Sequence, residues 1–196
     1  MHLLIFIISC FYLHTMYYLL DGYGTFNNYI IKNLMKSIYL FFLFIGATLF
    51  IMPFKEYNND VVKVFASLYV SNDFMGLLKV KVSMTTKIHH IVSCLLMVFS
   101  WFIDFNENNI AQAILMYTYI SSANFGVNLY LALRFLGDFD WLKKKVRIVY
   151  AVTFIINICL QLYILDKTVN GVYIYIALIS LIIVDDIFLL KWLYNV

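Results

Sequence analysis

The stretch that decides the fold is Lys79-Val-Lys-Val-Ser-Met-Thr-Thr-Lys-Ile-His-His-Ile-Val-Ser-Cys-Leu-Leu-Met-Val-Phe-Ser-Trp101. Three lysines, Lys79, Lys81 and Lys87, lead into an apolar run, and His89 and His90 stand side by side where the character changes. A basic segment feeding an apolar one marks a membrane helix entered from the cytosolic headgroups. The histidines are predicted to sit in the first turn of that helix.

The rest of the chain supports this reading. Of 196 residues, 64% are hydrophobic, 13% are charged and one is proline. Globular domains carry about half apolar and a quarter charged residues, so a soluble domain is excluded. The apolar excess falls in blocks separated by short polar stretches that hold most of the lysines, the pattern of an all-α, polytopic membrane helix bundle. The net charge of +3 suits anionic headgroups and not nucleic acid. Cys10, Cys94 and Cys159 lie far apart, with no metal or redox spacing. No Asn-X-Ser/Thr acceptor occurs.

About seven transmembrane segments are predicted: His2–Leu20, Ile38–Phe54, Val61–Leu78, Ile88–Asp104, Ile110–Phe135, Val146–Leu165 and Val172–Leu190. Polar connections are expected at Asp21–Ser37, Lys55–Asp60, Phe105–Asn109, Gly137–Lys145 and Asp166–Gly171. Residues 1–54 form an N-terminal pair of helices and 55–196 the main membrane domain, the whole chain making one unit. Eleven basic residues fall on one side: Lys32, Lys36, Lys79, Lys81, Lys87, Arg134, Lys143, Lys144, Lys145, Arg147 and Lys191. The other side has Lys55, Lys63 and Lys167. The bias predicts a lumenal or extracellular N-terminus and a cytosolic C-terminus.

This orientation gives the polar residues inside the segments a depth. At about 1.5 Å of rise per residue, Asp73 lies about 9 Å from the boundary marked by Lys79. His14, His89, His90, Asn128, Asp185 and Asp186 fall in the same cytosolic half. Ionisable groups in a bilayer are costly and face a cavity or one another. Their shared level predicts a polar cavity open to the cytosol.

Two readings of the histidines stand side by side. They sit at headgroup level, or one points inward, with Asp73 on the preceding helix as its carboxylate partner. In the second case the imidazole serves as general base or acyl acceptor. Asp185 and Asp186 pair with Lys191 or line the cavity. Asn124, Asn128, Asn157 and Gln161 suit helix packing, and Asn128 is also placed to contact substrate. Asp104 and Glu107 read as solvated loop residues. A metal needs at least three ligands, and no HxxxH or HxxE spacing supplies them, so no metal is expected.

Asp73, the His89-His90 pair, Ser100-Trp101 and the segment Ile120–Asn128 followed by Arg134 together resemble the TLC domain family, to which the ceramide synthases belong. The resemblance runs from Val62 to the C-terminus. It implies about six or seven membrane helices, often in the endoplasmic reticulum or another endomembrane, concerned with lipid metabolism. It also implies catalytic roles for His89, His90 and Asp73, with Ser100, Trp101, Asn128 and Asp185 at the substrate. Acyl-CoA enters as a co-substrate, and no bound cofactor is implied. Ceramide synthases carry His-Asp-x-x-Ser-Asp in the helix after their paired histidines. Here Met116–Asn124 has no acid, which is closer to the non-synthase branch. The expected function is lipid metabolism or membrane lipid homeostasis, with acyl transfer by the His pair. The alternative is a non-catalytic lipid- or cargo-binding protein, with a small transporter or receptor behind it. Expected partners are membrane lipids, acyl-CoA and, in a homodimer, a second copy of the chain.

Overall fold

The computed structural model of the chain describes residues 1–21, 27–166 and 172–195. Among these residues there are eight helices and no strand: α1 (His2–Asp21), α2 (Asn28–Phe50), α3 (Asn59–Lys79), α4 (Met84–Ser100), α5 (Asn109–Ser122), α6 (Phe125–Leu133), α7 (Asp140–Leu165) and α8 (Val172–Asn195). Five of them, α1, α2, α3, α7 and α8, are long and apolar enough to cross a membrane. This is consistent with an integral membrane protein. The shorter α4 is apolar over its 17 residues. The turn predicted at Asp166–Gly171, with Lys167, lies outside the described residues beyond Asp166 itself.

Several helices begin earlier than the sequence pattern predicts, for one physical reason. The first amides of a helix need acceptors, and Asn or Ser side chains supply them. Asn27 Oδ1 accepts from the amide of Ile30 at 2.9 Å, so α2 starts ten residues before the expected Ile38. Ser83 Oγ accepts from the Thr86 amide at 3.2 Å and starts α4 at Met84. The histidines therefore lie in the second turn of α4, not its first. Asn58 and Asn108 cap α3 and α5 in the same way. Replacing Ser83 with Ala should lower stability by about 1 kcal/mol, read from equilibrium unfolding of the reconstituted protein; an unchanged midpoint would show that α4 starts without its cap.

The predicted fifth segment, Ile110–Phe135, is broken into α5 and α6 at Ala123–Asn124. Ser122 Oγ donates to the Tyr119 carbonyl at 2.6 Å, and Asn124 Oδ1 accepts from the Thr153 hydroxyl at 2.8 Å. Such side-chain bonds compete with the helical ladder and bend the chain. Gly126 then lets α6 approach α7, where a Cβ would meet Val146 Cγ1 at 3.0 Å.

The helices close a ring. Around it α2 packs on α3, α3 on α4, α4 on α8 and α8 on α7. The broken column of α5 and α6 lies between α7 and α2, and α1 lies outside against α3. Ser9 of α1 bonds the hydroxyls of Ser71 (2.7 Å) and Tyr39 (3.0 Å), small polar contacts of the kind that join helices in lipid. The most apolar helices turn large side chains outward, including Ile148, Ile155, Leu162, Ile174 and Phe188. Inside the ring lie Lys32, Asn33, Lys36, Asn72, Asp73 and His90, all buried. Apolar outside and polar inside is the arrangement expected when lipid is the solvent.

Lys32 and Lys36 differ most from their sequence reading. Expected in a loop, they stand one turn apart within α2 and face the interior. The other nine basic residues assigned to the cytosolic side lie in or near helix ends. At the other end, Asp104 is held by the loop: its carboxyl lies below the usual range through the Asn59 side chain and the Asn106 amide, which donates to Oδ1 at 2.7 Å. It is exposed, as expected of a solvated loop residue, and it also anchors the loop backbone.

Candidate functional site

A polar chamber of about 430 Å³ lies inside the ring, lined from α2, α3, α4, α6, α7 and α8. Its floor is built on two adjacent residues of α4. Neighbours on a helix diverge by about 100°, so two side chains in sequence meet different partners. His90 turns to α3, where its Nδ1 lies 3.2 Å from Asp73 Oδ1. His89 turns to α8, where its Nδ1 lies 3.4 Å from Asp185 Oδ2. The expected partnership of Asp73 with an inward histidine is present, and the second histidine has a carboxylate of its own.

Asp73 also carries a cation that sequence reasoning missed. Lys36 Nζ donates to Asp73 Oδ1 at 2.7 Å, and both side chains are buried. The ammonium also lies 4.2 Å from the centre of the Tyr69 ring. Asp73 has no basic neighbour within a turn of its own helix, so its partner had to come from elsewhere. The four-residue spacing of Lys32 and Lys36, just after the capping Asn27, was the available signal.

The adjacent aspartates of α8 divide in the same way as the histidines. Asp185 accepts from Thr86 Oγ1 at 3.1 Å and faces His89. Asp186 accepts from the hydroxyls of Tyr117, on α5, and Tyr150, on α7, the latter at 2.9 Å. The alternative pairing with Lys191 is not the one observed. The helix after the histidines has no acid of its own, and Asp186 brings one to it across the ring.

A second, narrower cavity of about 70 Å³ runs away from the chamber through apolar side chains. It passes Leu96, Ile114 and Ile179 and reaches Ile51, Val62 and Phe105 near the opposite end of the bundle. Tyr69 and His89 line both spaces. Each of these two side chains therefore borders both the polar and the apolar space.

Asn128, as expected, lines the chamber. Ser100 and Trp101 do not join the histidines: three helical turns separate them, about 15 Å of rise. Ser100 is buried at the far part of the apolar cavity, its hydroxyl bonded to the Met97 carbonyl at 2.6 Å. Trp101 Nε1 donates to Ser67 Oγ at 3.2 Å, and its ring packs on His2 and Phe6 of α1. His14 is exposed on α1, away from the chamber. Gln161 and Asn157 tie α7 to α5 through the carbonyls of Ala113 (3.0 Å) and Tyr117 (3.3 Å), in keeping with a packing role.

Asp73, His89 and His90 offer ligand atoms within 4.8 Å of one another. A divalent ion there would share Asp73 with the Lys36 ammonium, a like-charge contact at close range in a low dielectric. The donor set favours proton transfer over metal binding. No family model matches the chain, and no curated protein or solved structure resembles it.

Proposed function

We propose that this chain is a TLC-like multi-pass membrane protein of lipid metabolism or lipid homeostasis, with His89 placed for acyl transfer. The observation that carries this reading is the junction of the two cavities at Tyr69 and His89. An amphipathic ligand with its chain in the apolar cavity and its polar end in the chamber would present the bond between them to the imidazole. With α5 and α6 counted as one column, the helices make seven crossings. The distribution of basic residues then puts the N-terminus outside and the C-terminus in the cytosol, in the endoplasmic reticulum or another endomembrane.

In this mechanism Asp185, beside Nδ1, orients His89 and leaves Nε2 for the substrate. Nε2 takes the proton of an amine or hydroxyl as that group attacks the carbonyl of an acyl thioester. The C–S bond breaks, the new amide or ester bond forms, and the proton passes to the departing thiolate. His90, Asp73 and Lys36 form a buried network that holds α4 against α3 and α2.

A non-catalytic reading draws on another observation: each chamber carboxylate already has protein partners, as in a network built for stability. The two readings part on one experiment. Purified protein in phosphatidylcholine vesicles is given labelled acyl-CoA together with a membrane lipid extract. Acyl transfer should yield a labelled amide or ester lipid. Label remaining in acyl-CoA and free fatty acid alone would favour the lipid- or cargo-binding reading.

A further inference from the structure

The chamber holds more fixed positive than negative charge, Lys32, Lys36, Lys81 and Arg134 against Asp73, Asp185 and Asp186. Asp73 is paired with Lys36 and faces His90, Asp185 faces His89 and accepts from Thr86, and Asp186 accepts from the hydroxyls of Tyr117 and Tyr150. Three further cations line the same space: Lys32, Arg134 and the exposed Lys81. Lys32 is only 7% exposed, and among the described residues its ammonium makes no ion pair or hydrogen bond. Arg134 has no carboxylate partner among the described residues, and its Nε is buried without a hydrogen bond.

Lys32 and Arg134 are nevertheless held in place. Arg134 donates from Nη2 to Tyr29 Oη at 3.3 Å, and its guanidinium lies 4.4 Å from the Trp192 ring centre. Tyr29 stands one turn before Lys32 on α2, so it links the two. The arm of Lys32 crosses α3 at Gly76, where even a Cβ would come within 3.2 Å of Lys32 Cε. A buried charge without a counter-ion is unfavourable, and a site that retains two of them suits an anion.

We propose that Lys32 and Arg134 form a subsite for a phosphomonoester on the ligand of this chamber, so that the ligand is a phosphate-bearing single-chain lipid. A phosphate gives Lys32 and Arg134 the direct ion-pair partner that neither has among the described residues. Its several oxygens accept from an ammonium and a guanidinium arriving on different helices, as a planar carboxylate does less well. The chain enters between the apolar side chains beyond Tyr69 and His89, which must part to widen the narrow cavity there. The inference rests on the chamber being a lipid site and does not require catalysis.

The test uses the full chain in phosphatidylcholine nanodiscs. The probes are lysophosphatidic acid, a monoacylglycerol with the same chain, inorganic phosphate and coenzyme A. Lysophosphatidic acid should bind about ten- to a hundredfold more tightly than the monoacylglycerol, the range for charge-assisted hydrogen bonds. Lys32→Met and Arg134→Gln should bring the two lipids to parity, while Lys87→Met, on the exposed face of α4, keeps the preference. Should Lys32→Met not fold, Gly76→Ala takes its place: the added methyl displaces the lysine arm, and the preference should fall. Parity in the unaltered protein overturns the proposal, as does full preference in the Lys32 (or Gly76) and Arg134 variants. Displacement of lysophosphatidic acid by inorganic phosphate supports a phosphate subsite. Displacement by coenzyme A combined with parity between the lipids assigns the cations to a nucleotide and overturns the lipid proposal. A phosphate preference without acyl turnover removes the acyl-transfer reading alone, and turnover without the preference removes this one alone.

Discussion

Lys36→Met should destabilise the protein by about 3–5 kcal/mol, the cost of leaving one partner of a buried ion pair behind. Its partner Asp73 is 1% exposed, and one of its oxygens, Oδ2, is already buried without a hydrogen bond. Without the ammonium, His90 is 3.2 Å from Oδ1, and His89 and Lys32 act on the charge only from farther away. The pair links α2 to α3, two walls of the ring, so the loss should extend to the packing of α4 through His90. Asp73→Asn strands the cation instead and should cost a similar amount. The double variant Lys36→Met with Asp73→Asn removes both charges and should recover much of the loss, giving a coupling energy well above 1 kcal/mol. Equilibrium unfolding of the four proteins in mixed micelles measures this, and strictly additive effects would show that the pair contributes nothing.

Lys32→Met supplies a contrast from the same helix. Among the described residues Lys32 makes no direct ion pair, and Asp73 and Asp185 attract it only at longer range, so its removal should cost far less than that of Lys36. Two lysines four residues apart, both buried and both on α2, should thus respond to very different degrees. A destabilisation of Lys32→Met equal to that of Lys36→Met would mean that Lys32 has a partner in the protein.

How much of this was legible in the sequence depended on whether the signal was local. The all-helical character and most of the apolar segments follow from block hydropathy, because the outer faces of α1, α7 and α8 must be apolar whatever the interior contains. Asp73 and the histidines were recognisable as unusual since each sits in a run with few other polar groups. Their partners were not, because Lys36 and Asp185 are 37 and 96 residues away from the groups they meet. Lys32 and Lys36 were read as loop cations since a helix lining a polar chamber is itself polar on one face. That face lowers the hydropathy of Asn28–Ser37 to the level of a connection. The break at Asn124 was missed for the opposite reason. Hydropathy is continuous from Ile110 to Phe135, while the ladder is interrupted by hydrogen bonds from Ser122 and Thr153. Helical rise alone, however, separates Ser100 and Trp101 from the histidines, so their distance from the chamber could have been read directly.

His89→Ala should reduce acyl transfer by about 10²–10⁴-fold, the usual contribution of a positioned general base, whereas His90→Ala should act mainly on stability. The difference follows from where the rings stand. His89 lines both cavities, while His90 lines the chamber alone and is packed against the Asp73–Lys36 pair. A base must reach the bond between a ligand's chain and its polar end, and of the two histidines His89 alone borders both cavities. Asp185→Asn keeps the shape of the orienting group but removes its charge, and should lower the same rate less than loss of the imidazole does. Single-turnover measurements with labelled acyl-CoA, at protein levels corrected for folding, separate the two histidines. Equal losses from His89→Ala and His90→Ala would mean that the pair acts as one unit. A loss confined to His90→Ala would move the chemistry to the Asp73 side of α4 and remove the cavity junction from the mechanism.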